Sequence, residues 1–127
     1  MRAIKIDSIK RTISIIEVES YRNICTELNE RCQYFICPMI FETNDVMYAD
    51  YYAGLNAFKG GFMLDGWTHP VLGNAIIVGT DINGNLADVV VSKGEIDKQI
   101  SFISKYLVNK WFYYESNLDN KILFSKN

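Results

Sequence analysis

The chain has 127 residues, 49% apolar and 22% charged, and thirteen Lys plus Arg against fifteen Asp plus Glu leave a formal net charge of −2. That length supports one domain with its own core, since a chain near 150 residues buries roughly 70% of its extended surface. The charge balance excludes the basic face that duplex nucleic acid requires. No apolar run approaches the roughly 20 residues that span a bilayer, which excludes a membrane-spanning segment.

Residues 2–7 and 11–18 alternate apolar and polar side chains around a short polar link, Ser8 to Lys10, and predict a hairpin rather than a signal peptide. Ser20 is placed to cap a helix over 21–31, with Tyr21, Ile24, Cys25 and Leu28 as its apolar stripe. Tyr34 to Phe41 reads as a strand that Pro38 confines to an edge or a bulge. A short strand follows from Val46 to Ala49. The connection from Asp50 to Asn74 is different, with Gly54, Gly60, Gly61, Gly66, Gly73 and Pro70 interleaved with aromatic residues. Only Phe62 to Leu64 has strand character there. A long irregular connection of this kind is more often functional than accidental.

Ala75 to Val78 predicts a buried strand. Asn83-Gly84 then predicts a hairpin in which both residues take positive φ, with Leu86 to Val91 pairing back. Ser92-x-x-Glu95 is a capping-box pattern. It opens a second helix with the stripe Ile96, Ile100, Ile103 and Leu107, continued by Trp111, Tyr114 and Leu118. The expected architecture is α+β: an antiparallel sheet of about five to seven strands with two helices on one face. It forms a single domain, with residues 1–110 as core and 111–127 as an aromatic extension.

The single histidine, His69, has Asp65 and Asp81 as the acids that could orient it as a base, and Cys25, Cys32 or Cys37 as conceivable nucleophile partners. None of these cysteines lies in a glycine-rich elbow. Their spacing fits neither a zinc ribbon nor a redox pair, so buried free thiols in a reducing cytoplasm are expected. One histidine among scattered acids makes a poor metal site, and no phosphate-binding glycine motif occurs, so no metal or cofactor is expected. Glu17/Glu19 and Asp45/Asp50 read as solvated or turn acids. Tyr51, Phe58, Phe62, Trp67, His69 and Asn74 remain as a candidate ligand-binding set, in which rings stack on a planar group and polar atoms fix it.

Two stretches carry a resemblance. Met47-Tyr48-Ala49-Asp50-x-x-x-Gly54-Leu55-Asn56, and Gly66-x-x-x-Pro70-x-Leu72-Gly73-Asn74-Ala75-x-x-Val78-Gly79-Thr80-Asp81, are similar to an uncharacterised family of small phage and mobile-element proteins. With the opening Ala3-Ile4-Lys5-Ile6, the likeness covers most of residues 1–107. The aromatic segment from Trp111 lies outside it. The resemblance implies a setting in the cytoplasm of an infected bacterial host, where small acidic domains counter host defence.

By analogy, the expected function is non-enzymatic sequestration of a small nucleotide-derived signal, with phosphates held by backbone amides and by Lys59 or Arg2. The alternatives are a protein–protein inhibitor that docks through its C-terminal aromatics, and a small hydrolase using His69. Trp111-Phe112-Tyr113-Tyr114 cannot all face one core and predict a homo-oligomer contact.

Overall fold

The computed structural model describes residues 1–30, 32–51, 53, 60–67 and 69–103. The elements run β1 (Arg2–Asp7), β2 (Thr12–Glu17), α1 (Tyr21–Leu28), β3 (Phe35–Ile40), β4 (Val46–Asp50), β5 (Gly61–Leu64), β6 (Val71–Leu72), β7 (Ala75–Thr80), β8 (Leu86–Ala87), α2 (Lys93–Gln99) and β9 (Ile100–Ile103). The class is α+β. A six-stranded antiparallel sheet has the order β2-β1-β7-β4-β3, with β8 pairing the end of β7, and a smaller antiparallel sheet has the order β6-β5-β9.

Strand alternation divides the core in two. Ile4, Ile6, Met47, Ala49, Ala75 and Ile77 project from one face of the main sheet, against Phe62, Leu64 and Val71 of the small sheet and Ile96 of α2. Ala3, Val46, Tyr48, Ile76 and Val78 project from the other face, against Ile24 and Leu28 of α1. The two helices therefore cover opposite faces of the sheet, not one face as expected. β4 and β7 are covered on both sides, which is why their sequences are nearly continuous apolar runs.

Each hairpin returns through a left-handed residue: Arg11 (φ 56°), Asn44 (φ 68°) and Gly84 (φ 81°). At the last turn only Gly84 has positive φ. Its N–H donates to the Asp81 carbonyl at 3.0 Å and the Asp81 N–H to the Asn85 carbonyl at 2.9 Å. This is a three-residue loop ending in a bulge, not the two-residue turn predicted from Asn83-Gly84. The Asp81 carboxylate selects the longer loop by accepting the N–H groups of Asn83 and Asn85. Pro38 behaves as expected on both counts. β3 is an edge strand, and its register slips between Ile36 and Met39.

The second helix departs most from expectation. Ser92 caps it, accepting the Glu95 N–H at 3.1 Å, but it ends at Gln99. Ile100 and Ile103 lie in β9, paired with β5. The segment Ile100-Ser101-Phe102-Ile103 satisfies a period of two at its core-facing positions, and Ile100 and Phe102 pack on the first cluster. Pairing it with β5 also satisfies the backbone of a strand that would otherwise have only the short β6 beside it. Leu107, Trp111, Tyr114 and Leu118, and the aromatic extension as a whole, lie outside the described residues.

Candidate functional site

The candidate ligand-binding residues do not share one environment. Tyr51 follows the last residue of β4 and is 59% exposed. His69 is exposed, and Trp67 is half-buried with its ring against the first core cluster. Phe62 is fully buried within that cluster and presents no surface to a ligand. Phe58 and Lys59 lie outside the described residues. Arg2 is exposed on β1.

Asn74 is buried by the fold's own polar needs. Its side-chain oxygen accepts the Ser8 N–H at 2.9 Å, and its amide donates to the Leu28 carbonyl at 3.5 Å. One side chain thus joins the first hairpin turn, the end of α1 and the start of β7. Beside it the Ser8 hydroxyl donates to the Gly73 carbonyl, and the Gly73 N–H to the Gly60 carbonyl. A Cβ on Gly60 would lie 2.8 Å from the Ser8 carbonyl oxygen. Gly66 takes φ 81° at the third position of the turn that leads from Leu64 to Trp67. Several glycines of the 50–74 connection therefore serve close approach and turning.

The acids correct the sequence reading more sharply. Asp45 is fully buried. Its carboxylate accepts the Val90 N–H at 2.9 Å, the Val91 N–H at 2.8 Å and the Thr43 hydroxyl at 2.6 Å. Asp50 is also buried and receives the Asn29 amide at 3.5 Å. Neither is a solvated turn acid, because each supplies acceptors to backbone or side-chain donors from a remote segment. The only signal in the sequence is Thr43-x-Asp45, which is too common to have been decisive.

Cys25 and Cys32 are half-buried and Cys37 is exposed, all three as free thiols, so the expectation of buried thiols fails most clearly at Cys37. Burial, then the Cys25 thiol and the Asp50 carboxylate, raise the Cys32 thiol far above its usual range, which disfavours a nucleophilic thiolate there. Of the two acids considered for His69, Asp81 is engaged by its own turn. Among the described residues no cluster of three His, Cys, Asp or Glu could hold a metal ion, and no helix is long and apolar enough to cross a membrane.

Two features had no signature in sequence spacing. Tyr21, Phe35 and Tyr48, from three elements, form an aromatic cluster. Tyr21 stacks on Phe35 at 6.0 Å between centroids, and Phe35 meets Tyr48 edge-on at 5.0 Å. Near the tips of the β3–β4 and β7–β8 hairpins, an open groove of about 500 Å³ is lined by Ile40, Asn44, Val46, Thr80, Asp81 and Ile82. Ile82 is 98% exposed and Ile40 69%. The groove sets two exposed isoleucines beside Asn44, Thr80 and Asp81 over the buried Val46, and its open form suits a side chain or peptide rather than an enclosed small molecule. No family model, curated protein or solved structure matches the chain.

Proposed function

We propose that the protein is a non-enzymatic binding module of the phage type that sequesters a small nucleotide-derived signal at the 50–74 connection. The observation that carries this reading is the accessibility of Tyr51, His69 and part of Trp67 in that connection, while Phe62 and Asn74 are held in the core. The proposed ligand-contacting set is then Tyr51, Trp67 and His69, with Phe58 as a candidate outside the described residues, and Phe62 and Asn74 leave it for the core and the first hairpin turn. A ring anchored on the core offers a stacking surface that is already ordered, which lowers the entropic cost of binding.

The test is to expose purified protein to a nucleotide-signal extract, denature it and identify the released small molecules by mass spectrometry. Trp67→Ala should remove about 1–3 kcal/mol of affinity, the scale of one lost aromatic–base stack, or roughly ten- to a hundredfold in Kd. The bound molecule should emerge chemically intact. Recovery of a cleaved product, with turnover abolished by His69→Ala, would mean a hydrolase instead.

The exposed isoleucines around the hairpin-tip groove favour a second reading, a protein–protein inhibitor. On that reading a host protein should co-purify and be lost on Ile82→Glu. The homo-oligomer contact through Trp111 to Tyr114 belongs to the proposal as well. Truncation after Lys110 should lower the sedimenting mass or yield insoluble protein.

A further inference from the structure

The two edges of the main sheet are treated differently by the sequence. β3 carries Pro38 and a register slip, both of which blunt an edge against further pairing. Among the described residues β2 forms the opposite edge, and it has neither. Its six residues pair with β1 without interruption, from Thr12 opposite Asp7 to Glu17 opposite Arg2, and no charge falls between Thr12 and Ile16.

The direction of its outward backbone groups follows from Arg2. The Arg2 N–H donates to the Asp88 carboxylate at 2.7 Å, and the Arg2 carbonyl accepts the Val89 N–H at 2.8 Å. Both groups point away from β2, so the Arg2–Glu17 pair is a non-hydrogen-bonded one. By antiparallel alternation Ile13, Ile15 and Glu17 then direct their N–H and C=O groups outward. Ile13 and Ile15 also lie on one face, opposite Ile6 and Ile4, and Ile15 is 56% exposed.

We infer that β2 is an interface for a second copy of this chain, pairing antiparallel to itself about Ser14. A two-fold axis normal to the sheet keeps like faces together and places Ile13 opposite Ile15 of the second copy. These two residues exchange both backbone hydrogen bonds, and the symmetry repeats the pair. Thr12 then meets Ile16, and Glu17 of the second copy comes level with Arg11, the left-handed turn residue (φ 56°) that precedes the strand. The strand Thr12–Glu17 is thus self-complementary in apolar surface, with opposite charges, Arg11 and Glu17, flanking its two ends. A register shifted by one would set Ile13 and Ile15 against residues of the opposite face. One strand edge is small against the roughly 800 Å² per partner of a stable complex, so the association is expected to be weak and is sought at micromolar concentration and above.

The experiment is sedimentation equilibrium of the full chain at micromolar to submillimolar concentration. Ile15→Lys should halve the assembled mass of wild type. So should Ile15→Pro, which removes an outward N–H and leaves the β1–β2 bonds intact; unchanged circular dichroism would verify that both variants fold. Arg11→Glu alone should weaken association about tenfold, and Arg11→Glu with Glu17→Arg should restore it. A wild-type protein that stays monomeric across this range would overturn the inference. So would an Ile15→Lys variant that folds and keeps the wild-type mass, or a charge-exchanged double variant no better than the single one.

Discussion

Replacing Asp45 by alanine removes two acceptor contacts that tie the β3–β4 turn to the Val90–Val91 strap leading into α2, and a third, from the Thr43 hydroxyl, within the turn. A stranded buried donor costs about 1–3 kcal/mol. Val90 is 69% exposed, so its amide regains water and counts at the low end. The Val91 amide is less accessible and counts nearer the middle. With the lost packing of a fully buried side chain, the expected loss is about 3 kcal/mol. Asp45→Asn keeps the shape and one acceptor but turns an NH2 group toward the second amide, and should cost about 2 kcal/mol. Thr43→Ala leaves both amides satisfied and should cost about 1 kcal/mol. Urea unfolding followed by tryptophan fluorescence measures all three. With a slope near 1.5 kcal/mol/M, Asp45→Ala should lower the midpoint by roughly 2 M. A loss within about 0.5 kcal/mol of zero, the range of ordinary surface substitutions, would refute the reasoning.

Two glycine substitutions separate space from backbone strain. A Cβ on Gly79 would sit 2.2 Å from the Asp88 carbonyl oxygen, so Gly79→Ala should force β7 and the 88–90 segment apart and cost about 1–3 kcal/mol in the same assay. Gly84 has nothing within 4 Å of that position but a φ of +81°, so Gly84→Ala should cost about 1 kcal/mol through conformation alone. Ile96→Ala should cost about 2–5 kcal/mol, since Ile96 is the fully buried anchor of α2; an unchanged midpoint would contradict that packing. Burial and the Tyr21 hydrogen bond raise the Tyr48 phenol above its ordinary 10.0. A raised acid contributes stability that is complete below pH 10 and is lost as pH climbs toward the folded-state value. Stability should therefore fall above pH 10, and less steeply in Tyr48→Phe, by denaturation at stepped pH.

Local chemistry was legible in the sequence wherever one residue type has one use. Ser20 and Ser92 cap the helices, Pro38 marks an edge and a bulge, and the runs at Val46 and Ala75 form the doubly covered strands. What failed depended on partners distant in sequence. Ile96, Ile100 and Ile103 fit a helical period, yet β5 recruits the last two as strand residues, because its backbone needs a neighbour. The face chosen by each helix was likewise hidden, since β4 and β7 are apolar on both sides and offer either. In the candidate site, Tyr51 and His69 remained at the surface as a loop reading suggests. Phe62 and Asn74 were taken up by core and turn because residues 4–8 and 28, far away in the chain, needed them.

The place of β7 in the sheet order has a consequence for how the chain is made. β1–β2 and β3–β4 are hairpins of short sequence span, able to close as soon as each leaves the ribosome. Their inner edges, however, meet only through β7, which ends at Thr80. For some thirty residues of synthesis after Asp50, two hairpins exist with bare edges and apolar faces and with nothing between them. The central strand then inserts as the last piece of the main path, at high contact order, and this step should limit the folding rate. Nascent chains halted before β7 would be the aggregation-prone species, and chaperone dependence should end abruptly once Thr80 has emerged.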